Sequence, residues 1–536
     1  MDVARGVGSA SGGRPIGIRS ADVTPHLSRR QWLALAAASG LICGNVKAFA
    51  AEDAYPTMPS NDEIYSWIVQ MWKFGDESPY RFRMPGTAAD HAAAHFIADR
   101  FGQSKLENVV METAPIEVFF PKTWTLSLNG EAMDCAFLPY TKPTGPQGVT
   151  GELVYVGDGK PETLKAKGIA SLAGKIALVD AVTPKIGYAN EKQKALFYTD
   201  ADNTLANEPY TEGFPILNQD AALIACARAG AAGFVMVLGF RPRENGEEYH
   251  GDKRYNHLLT SLTVSPAVGD KLMAAVAAGS ARATLTLTMT DDQPANGKGH
   301  SFNLYGEVPG TTDETLVIMS HHDGGATNEG SGASCVMALA DYYGRLPHRS
   351  RRKTLQFFLI SAHFGLKGHL PEHAPKLWAM RDRIGCIMNM EMIAAHYQLR
   401  NGQYVRDGLV SPQNWHVTRG APLLLDMVKN AVVHQKLDRV IVSTPFGGEG
   451  GHMTQEHMGP VIERIGFNAP EFSRLDTPET VFKPALRPTA LAFVDICSQL
   501  DPVPLATLQA LRREPGPEDF PAYRSQIAPG SAPAPR

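Results

Sequence analysis

The stretch "SHHDGGATNEGSGASCVMALADYYGRLP", Ser320–Pro347, decides the fold. It continues the apolar run "TLVIMSHH", which reads as a buried strand. It closes in "GASCVMALADYYGRL", which reads as a helix. Between them lies a polar loop carrying His321, His322, Asp323, Asn328 and Glu329. Ligands of open α/β sheets bind beyond the carboxyl ends of the strands, so this loop stands where chemistry is expected.

The same pattern spreads outward. "NLYGEVPG", "KTLQFFLISAHFG" and "IGCIMNMEMIA" read as strands, and "GAPLLLDMVKNAVVHQ" as a helix. Strands alternating with helices predict an α/β fold: an open mixed, mostly parallel sheet with helices on both faces. His363 and Glu391 fall at the ends of two of its strands. Nearer the N-terminus, "GTAADHAAAHFIADRFG" places Ala93, Phe96, Ile97 and Phe101 on one helical face. "VVMETAPIEVFF" and "TWTLSLNG" then alternate as strands do. The "MNMEM" methionines read as core packing, and the basic run from Arg345 to Lys353 as a solvated turn.

Residues 144–292 have another texture. "GVTGELVYVGDG", "SLAGKIALVD" and "AALIACARAGAAGFVMVLGF" give strand, helix and strand with glycine at the reversals, a compact β-rich unit. Its long loop, "YANEKQKALFYTDADNTLANEPYTEGF", is read either as a lid or as a surface excursion. The remaining domain then falls in two parts, 51–143 and 293–505. Residues 506–536, rich in Pro, Ala and Ser, read as a disordered tail.

Residues 1–50 read as an export signal: Arg29 and Arg30 are paired, an apolar run follows, and Ala48-Phe49-Ala50 is a cleavage pattern. This looks like a bacterial twin-arginine signal, which implies a periplasmic or secreted protein with no stable membrane anchor after cleavage. Such an address permits disulfides, but the six cysteines are scattered without a C-x-x-C pair, so buried free thiols are expected. The net charge is −4 with no long basic run, which gives no basis for a nucleic-acid partner. The expected partner is a small-molecule or peptide substrate.

Four polar clusters stand at strand ends: "SHHDGGATNEGSG", "ISAHFGLKGH", "NMEMIAAH" and "EFSRLDTPETV". Their order and spacing resemble the co-catalytic zinc aminopeptidase and carboxypeptidase family of metallopeptidases (peptidase family 28 type). "AGKIALVD" and "ARAGAAGFVMVL" resemble its protease-associated insert domain. The resemblance implies a zinc-exopeptidase-like fold with that β-rich insert. It also implies two zinc ions that activate one water and polarise the scissile carbonyl, with a glutamate as base.

The family's H-x-D motif corresponds to His321-His322-Asp323, with His321 on a ligand position and Asp323 on the acid that orients it. Its bridging aspartate corresponds to Asn328, a poor bridge between dications. Its Glu-Glu pair corresponds to Ala362-His363: the base is missing, but His363 can bind metal. Glu391 keeps a carboxylate on the next ligand position. Phe472 stands where the last histidine belongs and cannot be a ligand.

The expected remnant is one divalent ion, zinc or iron, on His321, His363 and Glu391, a two-histidine, one-carboxylate set with open positions. His322, Asp323 and Asn328 would stand behind these ligands. Glu329, Glu449 and His452 are candidates for the missing proton carrier, with His457 in the same loop as the latter two. Three readings stay open: a metal-dependent hydrolase of peptide or amide bonds, a lyase, isomerase or oxygenase on the same scaffold, or an inactive ligand-binding relative.

Overall fold

The computed structural model describes residues 58–512, except 184, 208, 212–215, 250–254, 326–327, 364–370, 396, 401–402, 407, 445–447, 456–457 and 467–468. The expected export signal, most of the expected tail, His457 and the side chain of Asn328 lie outside the described residues. Among the described residues no helix is long and apolar enough to cross a membrane. Cys135, Cys226, Cys335, Cys386 and Cys497 are free thiols, and all but Cys135 are buried.

A nine-stranded mixed sheet, counted among the described residues, forms the centre. Its four middle strands, Thr354–Ile360, Thr315–His321, Ile384–Glu391 and Val461–Gly466, run parallel in that order. They are largely apolar and, apart from Thr354, buried throughout, as strands covered on both faces must be. Lys298–Val308 and Glu107–Glu117 extend one side in antiparallel pairing. Gln413–Val417 and Val440–Ser443 extend the other.

One face carries the Asn328–Gly344 helix, with Asn61–Asp76, Ala88–Gln103 and Leu486–Leu500 packed around it. On Ala88–Gln103, Ala93, Ile97 and Phe101 are buried, while Phe96 is only half-buried at the edge of the stripe. The opposite face buries Val317, Met319 and Ile387 against Leu377, Met453 and Met458. Met388 and Met390 are fully buried in the core.

A second, eight-stranded sheet is built from Pro121–Leu128, Glu131–Met133, Ala136–Phe137, Val149–Tyr155, Ile176–Asp180, Gly233–Val237, Ser261–Val264 and Arg282–Met289. Residue 144 falls between two of these strands. One face of this sheet carries the Gln219–Arg228 helix. The other buries Phe137, Leu285 and Tyr249 together with Phe82 and Phe472.

Two details depart from the sequence reading. Lys353 ends the supposed solvated run, yet it is fully buried. Its Nζ donates to the carbonyls of Asp501 (2.8 Å) and Val503 (2.5 Å) and pairs with Glu314 at 3.0 Å. A buried ammonium needs all these partners to replace water. Part of the long loop after residue 187 is a strand. Its Phe197–Thr199 segment joins the central sheet as the last strand, antiparallel to Val440–Ser443. Arg439 Nη1 donates to Thr204 Oγ1 at 2.5 Å and fastens the same arm.

Candidate metal centre

Parallel strands bring their carboxyl ends to one edge. His321 and Glu391 end two neighbouring strands, and His363 lies three residues past the third. The Asn328–Gly344 helix then returns across this edge with Glu329 in its first turn. Gly332 permits the approach. A Cβ there would lie 2.1 Å from the Met390 carbonyl oxygen and 2.5 Å from Ser320 Oγ, so helix and strand ends touch backbone to backbone. Gly448 does the same for the next loop, since its Cβ would lie 2.4 Å from Glu391 Oε1.

Asp323 sets both imidazoles. His321 Nδ1 is 3.3 Å from the Asp323 carbonyl oxygen, and His363 Nδ1 is 2.9 Å from Asp323 Oδ1. The His363 backbone N–H donates to that same Oδ1 at 3.2 Å. The two rings stack with centroids 3.7 Å apart and planes 23° apart. With Nδ1 engaged on each ring, Nε2 is left to coordinate.

Both Nε2 atoms approach Glu329 Oε2, at 2.9 Å for His321 and 3.8 Å for His363. The His321–Glu329 pair is buried and out of line for a hydrogen bond, and neither atom meets another hydrogen-bond partner. Buried polar atoms are rarely left so, and atoms aimed at a common point are what an ion requires.

The electrostatics agree. Burial opposes charge on His321, yet Glu329 and then Glu391 and Asp323 hold its imidazolium up to about 9. Burial pushes Glu329 up, but His321 and His363 outweigh it and hold the carboxyl low. Burial is likewise outweighed at Asp323, chiefly by His363. Protonation and metal binding compete for the same Nε2 lone pair.

On the other side of His321 stand Glu391 and Glu449. Burial and the Glu449 charge push Glu391 well above the usual carboxylate range, and burial pushes Glu449 to about 7. The Glu449 backbone N–H donates to Glu391 Oε1 at 3.0 Å, and Asn389 Nδ2 donates to the same oxygen. Asn389 Nδ2 also reaches Glu463 Oε1 at 3.0 Å, and His416 Nδ1 closes the chain at 2.7 Å from Glu463 Oε2.

Two three-donor sets result among the described residues: His321 with Glu329 and His363, and His321 with Glu391 and Glu449. Within each, all donor atoms lie within 4.8 Å of one another. His321, His363 and Glu391 do not form one such set: Glu329 completes one pair and Glu449 the other. His452 is buried in the Glu449–Gln455 helix but belongs to neither set. His322 turns away, with Nε2 2.7 Å from the Phe302 carbonyl oxygen and Nδ1 3.1 Å from Asp90 Oδ1. It is a buried anchor for the loop.

Ala362 and Phe472 sit in apolar packing. Ala362 adopts φ 50° and is buried against Ile116 and Val118. Phe472 adopts φ 60° and is buried with Phe82 and Tyr249. Restoring a carboxylate by Ala362→Glu should therefore raise no activity. It should lower stability by about 2 kcal/mol or more, because the new charge enters an apolar contact. Thermal unfolding and peptidase assays check this together.

Two residues of the site carry no motif signal. Arg83 is fully buried. Its Nε donates to the His322 carbonyl at 2.8 Å, and its backbone pairs with Gly324 in both directions. Glu471 is buried, and its side chain helps to hold the Glu329 carboxyl low. Only its place beside Phe472 could have drawn notice.

No protein-family model and no curated protein matches the chain. Solved structures do. A zinc aminopeptidase from Bacillus subtilis superposes with a TM-score of 0.58 at 16% identity, covering 85% of this chain and 100% of that one. A peptidase M28 precursor from Shewanella amazonensis gives 0.57 at 16%, covering 82% and 98%. An aminopeptidase from an Aneurinibacillus strain gives 0.54 at 17%, covering 83% and 95%. With its mixed sheet, the chain has the fold of these two aminopeptidases and the peptidase M28 precursor.

Proposed function

We propose that the protein is an exported, metal-dependent hydrolase of peptide or amide bonds that works with a single divalent ion. The ion is held by His321, His363 and Glu329, and zinc suits this two-histidine, one-carboxylate set. The observation that carries the reading is the buried meeting of His321 Nε2 with Glu329 Oε2, aimed together and without hydrogen-bond partners. One ion is proposed because both donor sets draw on the one His321 ring, whose Nδ1 lies against the Asp323 carbonyl.

When bound, such an ion polarises a carbonyl and acidifies a water. The chain's own residues do the rest. Asp323 keeps both imidazoles in register. Glu391 and Glu449, adjoining His321, hold and move a proton, a task Ala362 cannot perform. Arg29 and Arg30 support delivery to the periplasm or beyond.

Protein purified without a histidine tag should contain about one equivalent of zinc, and a chelator should abolish hydrolysis of aminoacyl-anilides. Less than a tenth of an equivalent after zinc and iron supplementation rejects the reading, and two equivalents reject the single ion. A visible iron band with oxygen uptake would give the scaffold a different chemistry.

A further inference from the structure

We infer that the second sheet completes the metal centre, with Arg241 as a positioning residue that acts on Glu329 through Glu471. The inference rests on the metal reading above. Arg241 follows the Gly233–Val237 strand and is buried with Glu248, its ion-pair partner at 2.7 Å. Its guanidinium fork spans the loop that carries Glu471. Nη1 donates to the Ala469 carbonyl at 2.7 Å, and Nη2 to the Glu471 carbonyl at 2.5 Å. Nη1 also meets Tyr404 Oη at 2.9 Å.

The same segment holds the loop further along. The Tyr249 backbone N–H donates to the Phe472 carbonyl at 2.9 Å. The Arg474 backbone N–H donates to Glu247 Oε2 at 2.8 Å. Residues 469–474 belong to no strand or helix, and Phe472 holds a left-handed backbone. A backbone outside regular elements takes its shape from whatever grips it. Here the grip comes from a stretch more than two hundred residues earlier in the chain. The result is that the loop lies against Glu329, the oxygen donor of the proposed set: a Cβ on Gly325 would meet both Glu329 Cγ at 3.1 Å and the Phe472 backbone nitrogen at 3.8 Å, and the Glu471 side chain helps to hold the Glu329 carboxyl low. A planar fork with several donors can do this; an ammonium cannot reproduce it.

The test uses the full chain with Arg241→Lys, Glu471→Ala and the double variant. Zinc affinity is read by competition with a chromogenic chelator. Amide exchange of residues 320–331 is read without metal, and thermal unfolding serves as control. Arg241→Lys should weaken zinc roughly tenfold or more, the range for residues that orient ligands, and speed exchange over 320–331. The double variant should be no weaker than Glu471→Ala alone, because the two act in series.

Unchanged zinc affinity and exchange in Arg241→Lys overturn the inference, as do additive losses in the double variant. If the wild-type protein binds no zinc, the metal reading falls, and exchange over 320–331 still judges Arg241. Should Arg241→Lys fail to fold, Tyr404→Phe removes one hydrogen bond from the guanidinium. It should cost roughly threefold in affinity, and no change in either assay overturns the inference.

Discussion

His321→Ala should leave less than about a tenth of an equivalent of metal on the protein and no chelator-sensitive hydrolysis. His321 is the one donor common to both sets, so neither set survives its loss. His363→Ala and Glu391→Ala each spare one set and should retain partial loading. The variant also leaves the Glu329 carboxyl buried without its nearest counter-charge. Breaking a buried pair costs about 3–5 kcal/mol. Elemental analysis and thermal unfolding measure the two effects separately. A variant loaded like the wild-type protein would place the ion elsewhere.

Gly332→Ala should be more damaging than its size suggests. A methyl group cannot occupy a point 2.1 Å from the Met390 carbonyl oxygen, so the Asn328–Gly344 helix must move off the strand ends. Overpacking a tight core contact costs about 3 kcal/mol. The shift also draws Glu329, three residues earlier, away from His321. The expected result is a lowered denaturation midpoint together with weakened metal binding. Gly102→Ala is the control: a Cβ there meets nothing within 4 Å, and the same change in a helix stabilises by roughly 1 kcal/mol. Equal behaviour of the two variants would refute the close approach.

What the sequence discloses follows distance along the chain. The strand ending at His321 and the helix after it are legible from one stretch, because hydrophobic periodicity and a polar loop are local signals. Glu329 and Glu449 are visible as acids near the site, but not as partners of particular histidines, which depends on Gly332 and Gly448 closing two contacts. Glu471 and Arg83 stay hidden because each is brought in by tertiary contacts. Phe197–Thr199 reads as loop because three residues carry no period, and only the edge of another sheet makes them a strand. Lys353 reads as solvated because its carbonyl partners lie about 150 residues away.

The arm that lends Phe197–Thr199 to the central sheet has a consequence for how this protein can be taken apart. The strand is supplied from between two strands of the other sheet, Ile176–Asp180 and Gly233–Val237. Neither half is therefore a cassette. Excising residues 144–292 would strip Val440–Ser443 of its outer neighbour and leave a raw border able to recruit a foreign chain. A lineage could resize the two sheets only in step.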